Sequence, residues 1–238
     1  MRTSTRALCK VWLVALVSAV CALGCSGPRD ATPLPEPPAL NPDKIGISVG
    51  LIPASDTIWI SAEASAAPAN AIVRVTNLES NGPAVATTAT SSGAFQIQVP
   101  GGVGDELRFQ VLVGEQRSAP VDLIYENGTP NAFTKSPRYA CVSLSPGFEL
   151  LFPSAGSQDL TLRSACSGTL VVSNPRQRRP TAAFSLSTTL PLDVSAGGTG
   201  SLSVAFSGAV GAELEDTLFV DLTSDGTTLR YPITLAAP

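Results

Sequence analysis

Apolar and polar residues alternate with period two along most of the chain, the signature of strands with one face toward a core and one toward water. The clearest runs in the first half are Ile72-Val73-Arg74-Val75, Ala94-Phe95-Gln96-Ile97-Gln98-Val99 and Leu107-Arg108-Phe109-Gln110-Val111. In the second of these, Phe95, Ile97 and Val99 share one side and Gln96 and Gln98 the other. Turn residues at Ser80-Asn81-Gly82-Pro83, Ser91-Ser92-Gly93 and Pro100-Gly101-Gly102 separate the runs at the spacing of a β-sandwich. The alternation resumes at Leu160-Thr161-Leu162, at 202–206, at 218–222 and at 229–235. Ser224-Asp225-Gly226-Thr227, between the last two, is a hairpin signal. Pro232 lies within the final run, and because proline cannot donate to a ladder it predicts an edge strand or a bulge. No segment keeps a helical period over ten residues. The pattern predicts an all-β chain of two tandem β-sandwich domains, 45–126 and 140–238, joined by a linker at 127–139 that carries Gly128, Pro130 and Pro137.

The N-terminal region has a different pattern. Arg2, Arg6 and Lys10 precede an apolar run over 11–22, with no acid among the first ten residues, which predicts a secretory signal over 1–24. The run is shorter than the roughly 20 residues that span a bilayer. Residues 26–44 contain Pro28, Pro33, Pro35, Pro37, Pro38 and Pro42 and few apolar side chains. With Cys25 they form an expected disordered, Pro-rich tether over 25–44, reaching roughly 60 Å at about 3.1 Å per residue.

Ala22-Leu23-Gly24-Cys25 resembles the lipobox of bacterial lipoproteins, although Ala22 stands where leucine is commonest. The resemblance implies cleavage before Cys25, lipidation of its thiol and a membrane partner held through acyl chains; several chains anchor stably where one is marginal. Ser26, in place of an aspartate, implies the outer membrane of a bacterial envelope. An ordinary signal that left Cys25 as a thiol would release the protein instead. Cys9 and Cys21 would leave with the signal, so Cys141 and Cys166 remain. In an exported chain they are expected to form one disulfide, worth on the order of 3 to 4 kcal/mol, the alternative being two buried thiols.

Removal of three of the fifteen basic residues would leave twelve against nineteen acidic ones, a mildly acidic chain that argues against nucleic acid as a partner. There is no histidine, which removes the commonest general base and the commonest metal ligand. No phosphate loop or dinucleotide fingerprint is present, so no cofactor is expected. Asp105-Glu106 and the group Glu213, Glu215 and Asp216 are the densest acids; they read as solvated turns rather than a glycosidase pair or a calcium site. Asp105 in particular reads as a turn residue. Asn127-Gly128-Thr129 matches a glycosylation acceptor, taken as accidental in a bacterial envelope protein. The one basic cluster, Arg176-Gln177-Arg178-Arg179, reads as a solvated loop, with an acidic polysaccharide or partner as the alternative. Trp59, the one tryptophan beyond the signal, reads as core rather than as a sugar-stacking platform. Tyr125 and Tyr139, on either side of the linker, are the better exposed aromatics.

Val73-Arg74-Val75-Thr76-Asn77-Leu78, the turn at Ser92-Gly93, Phe95 and Gly104-Asp105-Glu106-Leu107 resemble the bacterial immunoglobulin-like and carboxypeptidase-regulatory-like modules. The order Leu150, Phe152, Gly168-Thr169-Leu170, Phe184-Ser185-Leu186, Pro191-Leu192-Asp193-Val194 and 202–206 resembles the choice-of-anchor D group of abnormal-spindle and hydin type. It departs from that group with Gly197-Gly198 where proline-glycine is usual, Ser164-Ala165-Cys166 where asparagine and glycine are common, and no proline after Phe206. The resemblances imply two immunoglobulin-like sandwiches. No catalytic or metal residues are expected. The expected role is a non-enzymatic, lipid-anchored envelope protein presenting its modules to an unknown envelope protein; the alternative is a carbohydrate-binding accessory or adhesion module that takes a polysaccharide.

Overall fold

The period-two pattern becomes strand almost everywhere. The computed structural model describes residues 37–47, 56–126, 133–180, 183–209 and 214–237. The signal, Cys25 and the spacer up to residue 36 lie outside the described residues, as do the Asn127-Gly128-Thr129 acceptor and Glu213. The first half holds β1 (Ile45–Ile47), β2 (Thr57–Ala62), β3 (Ile72–Asn77), β4 (Val85–Thr88), β5 (Phe95–Pro100), β6 (Glu106–Val113), β7 (Gln116–Arg117), β8 (Val121–Tyr125) and β9 (Phe133–Lys135). The second holds β10 (Val142–Ser145), β11 (Glu149–Leu151), β12 (Gly156–Ser164), β13 (Leu170–Gln177), β14 (Phe184–Leu186), β15 (Leu192–Val194), β16 (Thr199–Phe206), β17 (Leu214–Ser224) and β18 (Thr227–Ala237). No helix among the described residues is long and apolar enough to cross a membrane.

Sheet β1-β2-β5 faces sheet β4-β3-β6-β8-β9, with β7 paired to β6. Ile58, Ile60, Phe95 and Val99 from one sheet share a core with Val73, Val75, Leu107, Phe109 and Leu123 from the other. Sheet β10-β12-β16-β14 likewise faces β11-β18-β17-β13-β15. Leu160, Leu162, Leu202 and Val204 pack there against Val220, Leu222, Ile233 and Leu235. Phe152, Phe184 and Phe206 cluster with ring centroids 5.0 to 5.8 Å apart. The chain is all-β, and its cores form where pairs of sheets bury their apolar faces, as the alternation requires.

The local signals resolve in physical terms. Asp225 and Gly226 both take positive φ, 48° and 76°, which is the two-residue turn whose twist matches the strands it joins. β17 and β18 then run in unbroken register from Ser224↔Thr227 to Leu214↔Ala237, so Pro232 makes no bulge. β18 is an interior strand, but its other neighbour, β11, pairs only with residues 234–236, so Pro232 sits beside an open stretch of ladder. Asp105 is a turn residue: its carboxylate accepts from the Gly102 N–H at 3.0 Å and from the Asn77 amide at 2.7 Å.

Two expected boundaries move. The tether does not extend to Lys44, because Leu40 is buried in the first core and the Asn41 N–H donates to the Ala66 carbonyl at 2.8 Å. The linker does not extend from 127 to 139, because β9 adds to the first sandwich beside β8. Proline content marked the first segment as a spacer and the second as a loop, yet the end of each packs on the first sandwich. The Cys141 and Cys166 sulfurs are bonded, joining the start of β10 to the end of β12, which are paired strands.

Candidate functional site

Strand β6 is buried on both faces. Leu107, Phe109 and Val111 point into the first core, and Glu106, Arg108 and Gln110, on the opposite face, are only 5%, 2% and 4% exposed. The outer face of β17 and β18 covers them, and there Thr217, Phe219 and Thr234 are equally buried. Two sheet faces that alternation alone would leave wet meet here and form a polar seam between the sandwiches.

Arg108 is its centre. Its guanidinium holds Asp122 of β8 through two bonds, Nε to Oδ1 at 2.8 Å and Nη2 to Oδ2 at 2.9 Å. It also crosses to the second sandwich, donating from Nη1 to Thr234 Oγ1 at 2.8 Å and from Nη2 to the Pro232 carbonyl at 2.7 Å. That carbonyl lies in the stretch of β18 that β11 leaves open, so the arginine substitutes for a missing strand partner. Around it, Arg138 donates to Glu106 at 2.7 Å and Asp122 at 2.8 Å, and Arg230 reaches Glu106 at 2.5 Å and pairs with Glu79. Arg74–Glu215 and Arg117–Glu149, the latter at 2.8 Å, bridge the seam further out. Each sandwich supplies both signs of charge, which fixes one register between the two faces.

Several residues singled out from sequence are consumed here. Glu106 is ion-paired rather than solvated. Arg178 is not in a solvated loop: it is buried and donates across the seam to the Ser80 and Gly82 carbonyls at 2.8 and 2.7 Å. Arg176 stacks on the Phe219 ring, 4.5 Å from its centroid. Tyr139 is half-buried, stacked at 6.5 Å on Tyr231, with its hydroxyl donating to the Thr227 carbonyl at 2.5 Å. Tyr125 packs at 5.6 Å on Phe133. Neither tyrosine stands out as an open aromatic platform. Glu215 and Asp216, as neighbours in a strand, point to opposite faces, and Asp216 accepts from the Arg179 and Thr217 N–H groups at 2.8 and 2.7 Å. Neither is a solvated turn. No group of three or more acids, cysteines or histidines among the described residues could hold a metal ion. Trp59 is not core: Ile58 and Ile60 turn inward, and the indole between them lies half-buried on the outer face of β2.

The seam gives its carboxylates opposite titration behaviour. Burial alone would raise Glu106, but the Arg138 and Arg230 hydrogen bonds outweigh it and hold the carboxyl below its ordinary value. Asp122 is likewise held down against burial by Arg108 and Arg138. Burial wins at Glu215 and Asp216, whose carboxyls are pushed up. A depressed carboxylate contributes stability that is present at neutral pH and lost as pH falls through its folded value; a raised one contributes stability present in acid and lost as pH rises. Between pH 7 and pH 3 the drop in Tm of the wild type therefore carries the loss at Glu106 and Asp122, offset by the gain at Glu215 and Asp216. That drop should shrink in Glu106→Gln and grow in Glu215→Gln. Calorimetry of the three proteins at both pH values checks it, and equal drops in all three would refute the assignment.

No family model and no curated protein matches the sequence. Among solved structures, a protein of unknown function from Porphyromonas gingivalis W83 aligns at 11% identity and a TM-score of 0.31, covering 84% of this chain and all of that one. The Vibrio cholerae VesB protease aligns at 12% identity and 0.36, covering 84% and 77%. A Salmonella alpha-2-macroglobulin reacted with methylamine aligns at 10% identity and 0.26, covering 82% of this chain and 16% of that one. Likeness at these TM-scores carries no argument about what this chain does.

Proposed function

We propose that the chain is a non-enzymatic, lipid-anchored protein of the bacterial cell envelope that presents its two sandwiches, as one stiff body, for protein binding or scaffolding. The observation that carries the presenting role is the seam: a buried arginine bonded to both sandwiches resists the bending that a free linker would allow. The anchoring role is supported by the cationic start, the apolar run and Ala22-Leu23-Gly24-Cys25. The prolines that follow Cys25 in the sequence support a spacer that holds the body clear of the membrane surface.

The test is the intact mass of the full chain expressed with its signal in a bacterial host, wild type beside Cys25→Ala. The expected result is a diacylated or triacylated chain beginning at Cys25, found in the membrane fraction and absent from the variant. A mature wild-type chain without acyl mass, or one recovered from the medium, would overturn the anchor.

A further inference from the structure

The outer face of the β1-β2-β5 sheet is built differently from the other polar faces of the molecule. Trp59 stands directly across from Gln98, with Gln96 one step along the same face opposite Ser61. Val85 and Thr87 of β4 wall one side, leaving a shallow depression of about 420 Å³, within the range of ligand clefts. Among the described residues, neither the indole N–H nor either glutamine amide has a hydrogen-bond partner, and no charged side chain lines the depression. This contrasts with the seam, where nearly every arginine and carboxylate is paired.

We propose that this face binds a neutral polysaccharide chain. A sugar ring presents a face of C–H groups that packs on an indole, and a rim of hydroxyls that both donate and accept. Trp59 supplies the flat apolar surface and one donor. Gln96 and Gln98 each supply two donors and an acceptor that are not committed elsewhere. The absence of charge in the depression selects an uncharged glycan over an acidic one, since a sulfated or uronic chain would find no cation there. The open, shallow shape suits an extended chain lying across strands rather than an enclosed small molecule. The inference rests on this face alone and does not depend on lipidation at Cys25.

The test is electrophoresis of the full chain through native gels containing soluble neutral polysaccharides (a β-1,4-linked xyloglucan, a β-1,3-glucan, a mannan) or alginate as an anionic control, with pull-down on insoluble cellulose and chitin. The expected result is retardation or capture by at least one neutral polymer, lost at least tenfold in Trp59→Ala and reduced at least threefold in Gln96→Ala/Gln98→Ala, with unchanged circular dichroism. If Trp59→Ala fails to fold, the double glutamine variant decides, because both side chains are exposed. No retention on any neutral polymer, retention on alginate alone, or binding that neither variant alters would overturn the proposal.

Discussion

Replacing Arg108 with alanine is expected to destabilise the folded chain by about 3 to 5 kcal/mol, the usual cost of removing one partner from a buried ion pair. The side chain is 3% exposed and its Asp122 partner 9%. Truncation leaves Asp122 with only the single bond from Arg138, and leaves the Pro232 carbonyl and Thr234 hydroxyl without their donor in a seam that water reaches poorly. A second effect distinguishes this variant from an ordinary core defect. Arg108 is bonded to both sandwiches, so its loss should separate them, and the single unfolding transition expected of the wild type should broaden or split. Urea denaturation followed by tryptophan fluorescence and by circular dichroism checks both effects: Trp59 reports on the first sandwich, the far-ultraviolet signal on both. Arg108→Met combined with Asp122→Leu should recover much of the loss, because apolar replacement of a buried pair leaves no charge stranded. A cost under about 1 kcal/mol with coincident transitions would mean that the seam is solvated and the sandwiches are independent.

Gly93→Ala is expected to cost about 4 kcal/mol or more, for two reasons that add. Gly93 has φ of +81°, a conformation that side chains with a Cβ resist, and a Cβ built there would lie 2.1 Å from the Ala67 carbonyl oxygen. The obstacle is backbone that cannot yield cheaply, because Ala67 is itself held to Gly93 by an N–H bond of 3.0 Å and Ser65 to Ser92 by one of 2.7 Å. Gly114 separates the two causes. It too has positive φ, +59°, but nothing lies within 4 Å of its Cβ position, so Gly114→Ala should cost only about 1 kcal/mol. Equal losses at the two positions, read from thermal midpoints, would show that conformation rather than the close approach dominates.

Much of the fold was legible because strand alternation and turn chemistry act locally. Phe95, Ile97 and Val99 are buried and Gln96 and Gln98 exposed in the order their alternation predicts. Ser224-Asp225-Gly226-Thr227 forms the tight hairpin its residues favour. Asp105, which caps its turn, was readable for the same reason. Trp59 was misread because a lone large apolar residue carries no signal of facing, and only the inward turn of Ile58 and Ile60 decides that it points outward.

The seam was not legible. Glu106, Arg108 and Gln110 alternate with Leu107, Phe109 and Val111 as an ordinary wet face would, and a guanidinium two residues from another polar group looks the same whether water or Thr234 receives it. Pro232 gave the one hint, an unpaired stretch of strand, without saying what would meet it. Arg178 reads as one member of a basic run, although its donors end on carbonyls nearly a hundred residues earlier in the chain.

By itself, the sequence determined which residues form strands, where the chain turns and which side of most strands is apolar, because these depend on neighbours within a few positions. The tertiary structure alone decided which polar faces become interior, where the expected tether and linker join the first sandwich, and which aromatic lies on an outer face. Each depends on contact between segments far apart in the chain, and burial of a charge is set by what packs over it rather than by the residues beside it.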